Sequence, residues 1–264
     1  MKRRQFLMSS LATSSLAIAG SGLGQSATAG AREFYLLRRY DLVNGPQTKL
    51  TESYFSDALI PALTRMGLGP IGAFSLAYGP ETPAYVALIP GASVYALAQL
   101  DLRLAQDAEF MKAAEPFWSA PASAPAFQRV ESSLLIAFEG WPKLTPPPMS
   151  ATKAKRIFQL RTYESPSFAA HVRKVEMFNS GEFEIFKTAG FHPVFFGDAL
   201  VDTRMPKLTY MLSLNGVGEL DAKWAAFGSN PDWKKLSSSP RYAYEPIVSS
   251  ITNLILTPLG ASQL

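Results

Sequence analysis

Two Arg-x-Tyr pairs, Arg38 with Tyr40 and Arg161 with Tyr163, each sit in a short run of strand-forming residues. A guanidinium is a planar fork of donors that stays charged, so two of them could hold a carboxylate or enolate. In a strand, residues two apart share a face. Gln159, Arg161 and Tyr163 therefore lie on one side, with Phe158 and Leu160 on the other. If the apolar face packs under helices, both Arg-x-Tyr pairs point into the interior of the sheet. The competing reading is an arginine neutralised internally, by Glu164 or another acid, as a plug.

The chain has 2 histidines. His171 falls early in a stretch with helical periodicity, and Glu182, eleven residues on, shares nearly its face. Glu176 and Asn179 form a second pair, three residues apart. An imidazole titrates near neutral pH, so His171 at a cleft mouth would suit a general base, with Arg161 and Tyr163 orienting the substrate. The alternative is a solvated helix face made of Lys174, Glu176 and Glu182. His192 stands among Phe191, Pro193, Phe195 and Phe196, which suits a hydrogen-bonded core residue or, in the alternative, an axial haem ligand. Two histidines with no cysteine exclude a multi-histidine metal site, thiolate chemistry, zinc–cysteine sites and disulfides. Phe196 and Tyr210, with Phe195, Trp224, Phe227 and Trp233, could line a pocket for an aromatic or acyl ligand or could fill a core. The sequence holds no Gly-rich phosphate loop, nucleophile elbow or His-Glu-x-x-His motif, so phosphoryl transfer, nucleotide redox and zinc hydrolysis fall away.

These side chains need a scaffold, and the composition allows one. Of 264 residues, 47% are hydrophobic and 17% charged, as in a globular chain. The net charge is +4, and Lys2, Arg3 and Arg4 supply three of those charges. A near-neutral body lacks the clustered surplus that nucleic-acid or polybasic membrane binding requires. The start, Lys2-Arg3-Arg4-Gln5-Phe6-Leu7, runs through a weakly apolar stretch to Ala27-Thr28-Ala29. These are the three parts of a cleaved signal peptide over residues 1–29, of twin-arginine type, so the protein is expected in the periplasm or outside the cell, without stable membrane insertion after cleavage.

The chain also repeats itself. Phe34–Tyr40 matches Ile157–Tyr163 at an offset of 123, and the same register pairs Phe55 with Phe178, Gly67 with Gly190, Pro70 with Pro193, Pro83 with Pro206 and Lys112 with Lys235. The expected organisation is a first unit over 30–140, a Pro-rich, semi-rigid linker over 141–154 and a second unit over 155–264. In the second unit, 156–163 reads as a strand. Ser165-Pro166 then opens a helix that runs to about Ala189. Residues 191–201 and 207–214 suggest a hairpin, 219–227 a helix, and 247–256 a last strand. The first unit repeats the order, with strands near 33–40, 71–78, 84–90 and 130–138 and helices near 48–66 and 93–114. Each unit is β-α-β-β-α-β, the split ferredoxin-like arrangement, and the two together predict an α+β fold: a pseudo-dimeric α/β barrel with helices outside. Two linked units supply each other's sheet partner, which allows a monomer; a homodimer through the outer surface is the other possibility.

Leu160-Arg161-Thr162-Tyr163-Glu164, Gly190-Phe191-His192-Pro193-Val194-Phe195-Phe196-Gly197, Leu208–Leu212, and Trp224-Ala225-Ala226-Phe227 with Asn230-Pro231-Asp232-Trp233 resemble the NIPSNAP family. The match covers the second half well and the first half weakly, where Asp107-Ala108-Glu109-Phe110 echoes Asn230–Trp233. The resemblance implies a dimeric α/β-barrel fold and no established reaction. Superfamily relatives include cofactor-free monooxygenases and haem-handling enzymes. The expected function is binding of a small, partly apolar ligand through Arg38, Tyr40, Arg161, Tyr163, Phe196 and Tyr210, or of a periplasmic protein, without a cofactor. The alternative is a cofactor-independent monooxygenase-like enzyme using His171, Arg161 and Tyr163, and haem through His192 is the remaining option. Any site is expected in the second unit.

Overall fold

The computed structural model describes residues 31–264, so the signal-peptide expectation lies outside the described residues. Eight strands form a closed antiparallel barrel: β1 (Phe34–Asp41), β2 (Gly72–Tyr78), β3 (Ala84–Gly91), β4 (Arg129–Ala137), β5 (Ile157–Glu164), β6 (His192–Val201), β7 (Lys207–Leu214) and β8 (Ser250–Pro258). The order around it is β1-β3-β2-β8-β5-β7-β6-β4. Within each unit this is the ferredoxin-like order, the fourth strand beside the first, then the third, then the second. Two seams close the barrel. β2 of the first unit pairs with β8, and β6 of the second pairs with β4. The offset of 123 relates β1 to β5 and β3 to β7 residue for residue.

Each unit carries its helices on the outside. The first has α1 (Pro46–Ser53), a π-helical turn (Tyr54–Leu59) and α2 (Ile60–Arg65) as one continuous rod, then α3 (Val94–Ala98), α4 (Leu100–Leu104) and α5 (Ala108–Trp118). The single helix expected over 93–114 is three pieces: Gln99 leaves helical geometry between α3 and α4, and Asp107 turns out of the helix and accepts hydrogen bonds from the Glu109 and Phe110 amides to cap α5. The linker carries α6 (Pro148–Thr152). The second unit has α7 (Phe168–Met177), a π-helical turn (Phe178–Glu182), α8 (Phe183–Thr188), α9 (Leu220–Ser229), α10 (Pro231–Ser237) and α11 (Tyr244–Ile247). Asn230 caps α10 as Asp107 caps α5, so the Asn-Pro-Asp-Trp and Asp-Ala-Glu-Phe segments do the same work. α7 is capped by Ser167, not Ser165: Ser165 still bonds back to Pro206 as an extension of strand pairing, and the helix cannot start until that pairing ends.

The packing reverses the expected sheet orientation. One buried cluster draws Tyr35, Phe74, Leu76, Val86, Leu88, Leu135, Phe158, Leu160, Phe195, Met211 and Leu256 from all eight strands and none from a helix: this is the barrel lumen. Tyr40 and Leu36 pack with the helices of the first unit, and Tyr163, Phe196 and Tyr210 with those of the second. Both Arg-x-Tyr pairs therefore point outward, under the helices, and not into the barrel. A small closed barrel must fill its own interior with side chains, so the stripe of Tyr35, Leu37, Phe158 and Leu160 goes inside, and polar residues of the same stripe, Arg39 and Thr162, line an open pocket beside Leu37 and Leu160. The other stripe meets the helix layer, whose edges admit water to a charged end.

The Pro-rich segment is pinned instead of acting as a spacer. Glu33 accepts from the Leu144 amide at 2.7 Å, the Thr145 amide donates to Val194 O at 2.8 Å, and Leu144 joins the lumen cluster.

Candidate functional site

In the second unit, β5 and β7 bring Tyr163 and Tyr210 side by side, their hydroxyls 2.7 Å apart. Arg161 donates to the Tyr163 hydroxyl at 3.1 Å and to Asn253 Oδ1 at 2.6 Å, and its guanidinium lies 4.2 Å from the centre of the Trp224 ring. Trp224 is itself oriented by its indole N–H, which donates to Gln159 Oε1 at 2.9 Å. Burial alone would lower the Arg161 pKa, but the neighbouring Tyr210 and Tyr163 oxygens outweigh it and hold it above the ordinary value. Burial also pushes Tyr210 and Tyr244 well up, so both stay neutral donors. Arg161 does not pair with Glu164, which takes Arg204 at 3.1 Å instead.

Beneath this layer, Lys174 reaches Glu182 at 2.7 Å. The ammonium is boxed by the rings of Phe178 at 4.3 Å, Tyr244 at 5.1 Å, Tyr163 at 5.4 Å and Trp233 at 5.7 Å. Lys174 and Glu182 were expected on a solvated face; both are fully buried, and Glu182 pairs with Lys174 and not with His171. Burial raises the Glu182 pKa against the opposing pull of Lys174. Glu176 likewise does not pair with Asn179. It takes Arg241 at 2.6 and 2.7 Å and the Tyr242 hydroxyl at 2.6 Å.

His171 lies on α7 against β6, where its Nε2 meets Asp198 Oδ1 at 2.6 Å while its buried Nδ1 has no partner. Asp198, and neither Arg161 nor Tyr163, is its hydrogen-bonding neighbour. His192 lies apart from all of these, half-buried in an open groove with Trp141, Thr145, Pro146, Pro147 and Pro193. Burial and the nearby Lys223 lower its pKa. The groove is open and about 330 Å³, too small to enclose a macrocycle, so it does not fit a haem. Among the described residues, no group of three or more metal-ligating side chains is assembled.

The first unit is built differently at the corresponding place. Arg38, Tyr40, Tyr54, Asp101, Phe117, Trp118 and Phe127 line an open cleft of about 440 Å³ between sheet and helices. Its floor is a stack, with the Tyr54 and Phe117 rings 4.0 Å apart and 6° from parallel. The Trp118 indole donates to the Tyr54 hydroxyl at 3.2 Å. Arg38 makes a two-pronged pair with Asp101 at 2.7 and 2.9 Å. Burial opposes the charge on Arg38, yet Tyr40 and Asp101 outweigh it and raise its pKa. Burial raises both Tyr40 and Tyr54.

The structure thus splits the six expected ligand residues between two places. Arg38 and Tyr40 line the open cleft, whereas Arg161, Tyr163, Phe196 and Tyr210 lie in the aromatic packing of the second unit. The cleft is on the first unit, whereas the family resemblance favours a site in the second; Arg38 and Tyr40 are the two expected ligand residues that line it. Of the cleft residues named above, sequence reasoning missed Tyr54, Asp101, Phe117, Trp118 and Phe127, and the repeat carried a signal for Asp101. The offset of 123 sets Asp101 against Trp224, a carboxylate against a ring at the position that covers each arginine.

A monooxygenase candidate from Lactobacillus acidophilus is 10% identical, with a TM-score of 0.55 over 86% of this chain and 94% of its own. Another from Fusobacterium nucleatum is 9% identical, with a TM-score of 0.54 over 87% of this chain and 93% of its own. A NIPSNAP family protein of unknown function from Agrobacterium tumefaciens is 15% identical and covers 40% of this chain and 89% of its own, with a TM-score of 0.35. No protein-family model and no curated protein matches the sequence. The chain has the two-unit α+β barrel fold that the first two proteins share.

Proposed function

We propose that this chain is an exported NIPSNAP-type protein that binds a small, partly apolar molecule in the cleft of its first unit. The observation that carries the reading is the cleft itself: an aromatic floor and wall, open to solvent, with a single charged pair at one side. Ligand sites have this composition, with mostly apolar lining and a few polar groups that fix orientation. The twin-arginine-type start supports export to the periplasm or beyond, as a folded protein. The two monooxygenase candidates are alike in fold at 9 and 10% identity, so the proposal stops at binding.

The test is equilibrium binding of naphthylmethanol, a neutral bicyclic probe, to the wild-type chain and to Ser132→Trp, which places an indole at the exposed rim of the cleft. Binding that is lost in the variant supports the reading. Binding that Ser132→Trp leaves intact, or absence of binding by naphthylmethanol and by its charged analogues of the same shape, overturns it.

A further inference from the structure

The pair at the side of the cleft is unequally buried. The Arg38 side chain is 10% exposed and that of Asp101 58%. Asp101 sits on α4, a helix of five residues, and reaches across to Arg38 from water. Arg38 comes from the middle of β1, is held by packing, and keeps a buried Nε without a partner. The second unit treats the same guanidinium differently. Arg161 also keeps a buried Nε without a partner, but its other nitrogens donate to the neutral oxygens of Asn253 and Tyr163, and Trp224, the residue that the repeat sets on Asp101, roofs it. Among the described residues no carboxylate hydrogen-bonds to that arginine. Its counterpart in the first unit is covered by a group that can leave.

The energetics of leaving are one-sided. Asp101 is already more than half hydrated, so its return to water costs little. A buried guanidinium left without an anion is expensive. Whatever displaces Asp101 must therefore bring a negative charge, and the two-pronged geometry favours a planar acid that can accept both N–H groups at once. Beside that fork lie the Tyr54 and Phe117 stack, Trp118 and Phe127. We propose that Asp101 is an internal stand-in for a ligand carboxylate, and that the cleft takes an aromatic carboxylate whose acid group replaces Asp101 on Arg38. This rests on the reading of the cleft as a binding site and names the class of molecule it selects.

The experiment is calorimetric titration of the wild-type chain and of Asp101→Asn with three probes of one shape: naphthoate, naphthylmethanol and naphthylmethylammonium. The wild type is expected to prefer naphthoate to the alcohol. Asp101→Asn, which removes the competing anion and leaves Arg38 in need of one, is expected to tighten naphthoate about tenfold while leaving the alcohol unchanged. The substituted side chain keeps an amide oxygen to which Arg38 can donate, as Asn253 does for Arg161, and circular dichroism with urea unfolding checks that the variant is folded. If the alcohol binds but Asp101→Asn leaves naphthoate unchanged or weaker, or if the ammonium is preferred, the stand-in role fails and the binding site survives. If none of the three probes binds either protein, the binding site itself fails.

Discussion

Lys174 and Glu182 are eight residues apart in sequence yet meet at 2.7 Å, with 0% and 1% of their side chains exposed. On an uninterrupted α-helix that separation is about 12 Å of rise. A π-helical turn kinked at the non-helical Gly181 lies between the two, and the long lysine and glutamate side chains span what remains. In the first unit the matching positions are Thr51 and Leu59, so the same rod is built there with no buried charge.

Removing one partner of this pair strands a charge among aromatic rings. Lys174→Met and Glu182→Gln are each expected to cost about 3–5 kcal/mol, and the double change Lys174→Met with Glu182→Leu much less. Urea unfolding of the three variants checks this; additive losses would show that the two groups act independently.

Gly181 has φ of 139°, a region that residues with a Cβ rarely adopt, although an added methyl group would meet nothing within 4 Å. Gly181→Ala is therefore expected to destabilise by about 1–3 kcal/mol through backbone strain alone. Its comparison with Gly228→Ala, where there is also open space and no strained φ, isolates that cause in thermal unfolding.

Acid should loosen the contact between α7 and the segment before α11. Hydrogen bonds from Arg241 and Tyr242 lower the Glu176 pKa from the ordinary 4.5 to about 2. A carboxylate depressed in the folded state stabilises it fully above the unfolded pKa, and that contribution fades as pH falls through 4.5 towards 2. Hydrogen exchange of residues 239–243 should rise over that window in the wild type and be high and flat in Glu176→Gln.

Much of the barrel was legible in the sequence because its strongest signals are local. Alternation marks β1 and β5, the offset fixes their equivalence, and Asn230-Pro231 carries the signature of a capped helix. The facing of the strands was not legible. Alternation tells one side from the other, but a closed barrel buries both, and only the closure says which is lumen. The site was harder still. Lys174 and Glu182 look like a solvated helix face, because neither the π-helical turn with its kink at Gly181 nor the rings packed over Lys174 can be read from helical spacing. Arg38 and Asp101 are 63 residues apart, and nothing short-range joins them.

The two seams, β2 with β8 and β6 with β4, carry a consequence for how the units can change. In a barrel made from two separate chains, each substitution appears twice and association depends on concentration. Here closure is intramolecular, so it is governed by a tether at an effective concentration of about millimolar order, whatever the dilution. One half can then be altered without altering the other. Thr51 against Lys174 and Asp101 against Trp224 are such departures: one half buries an ion pair where the other is apolar, and one covers its arginine with a ring where the other offers a carboxylate.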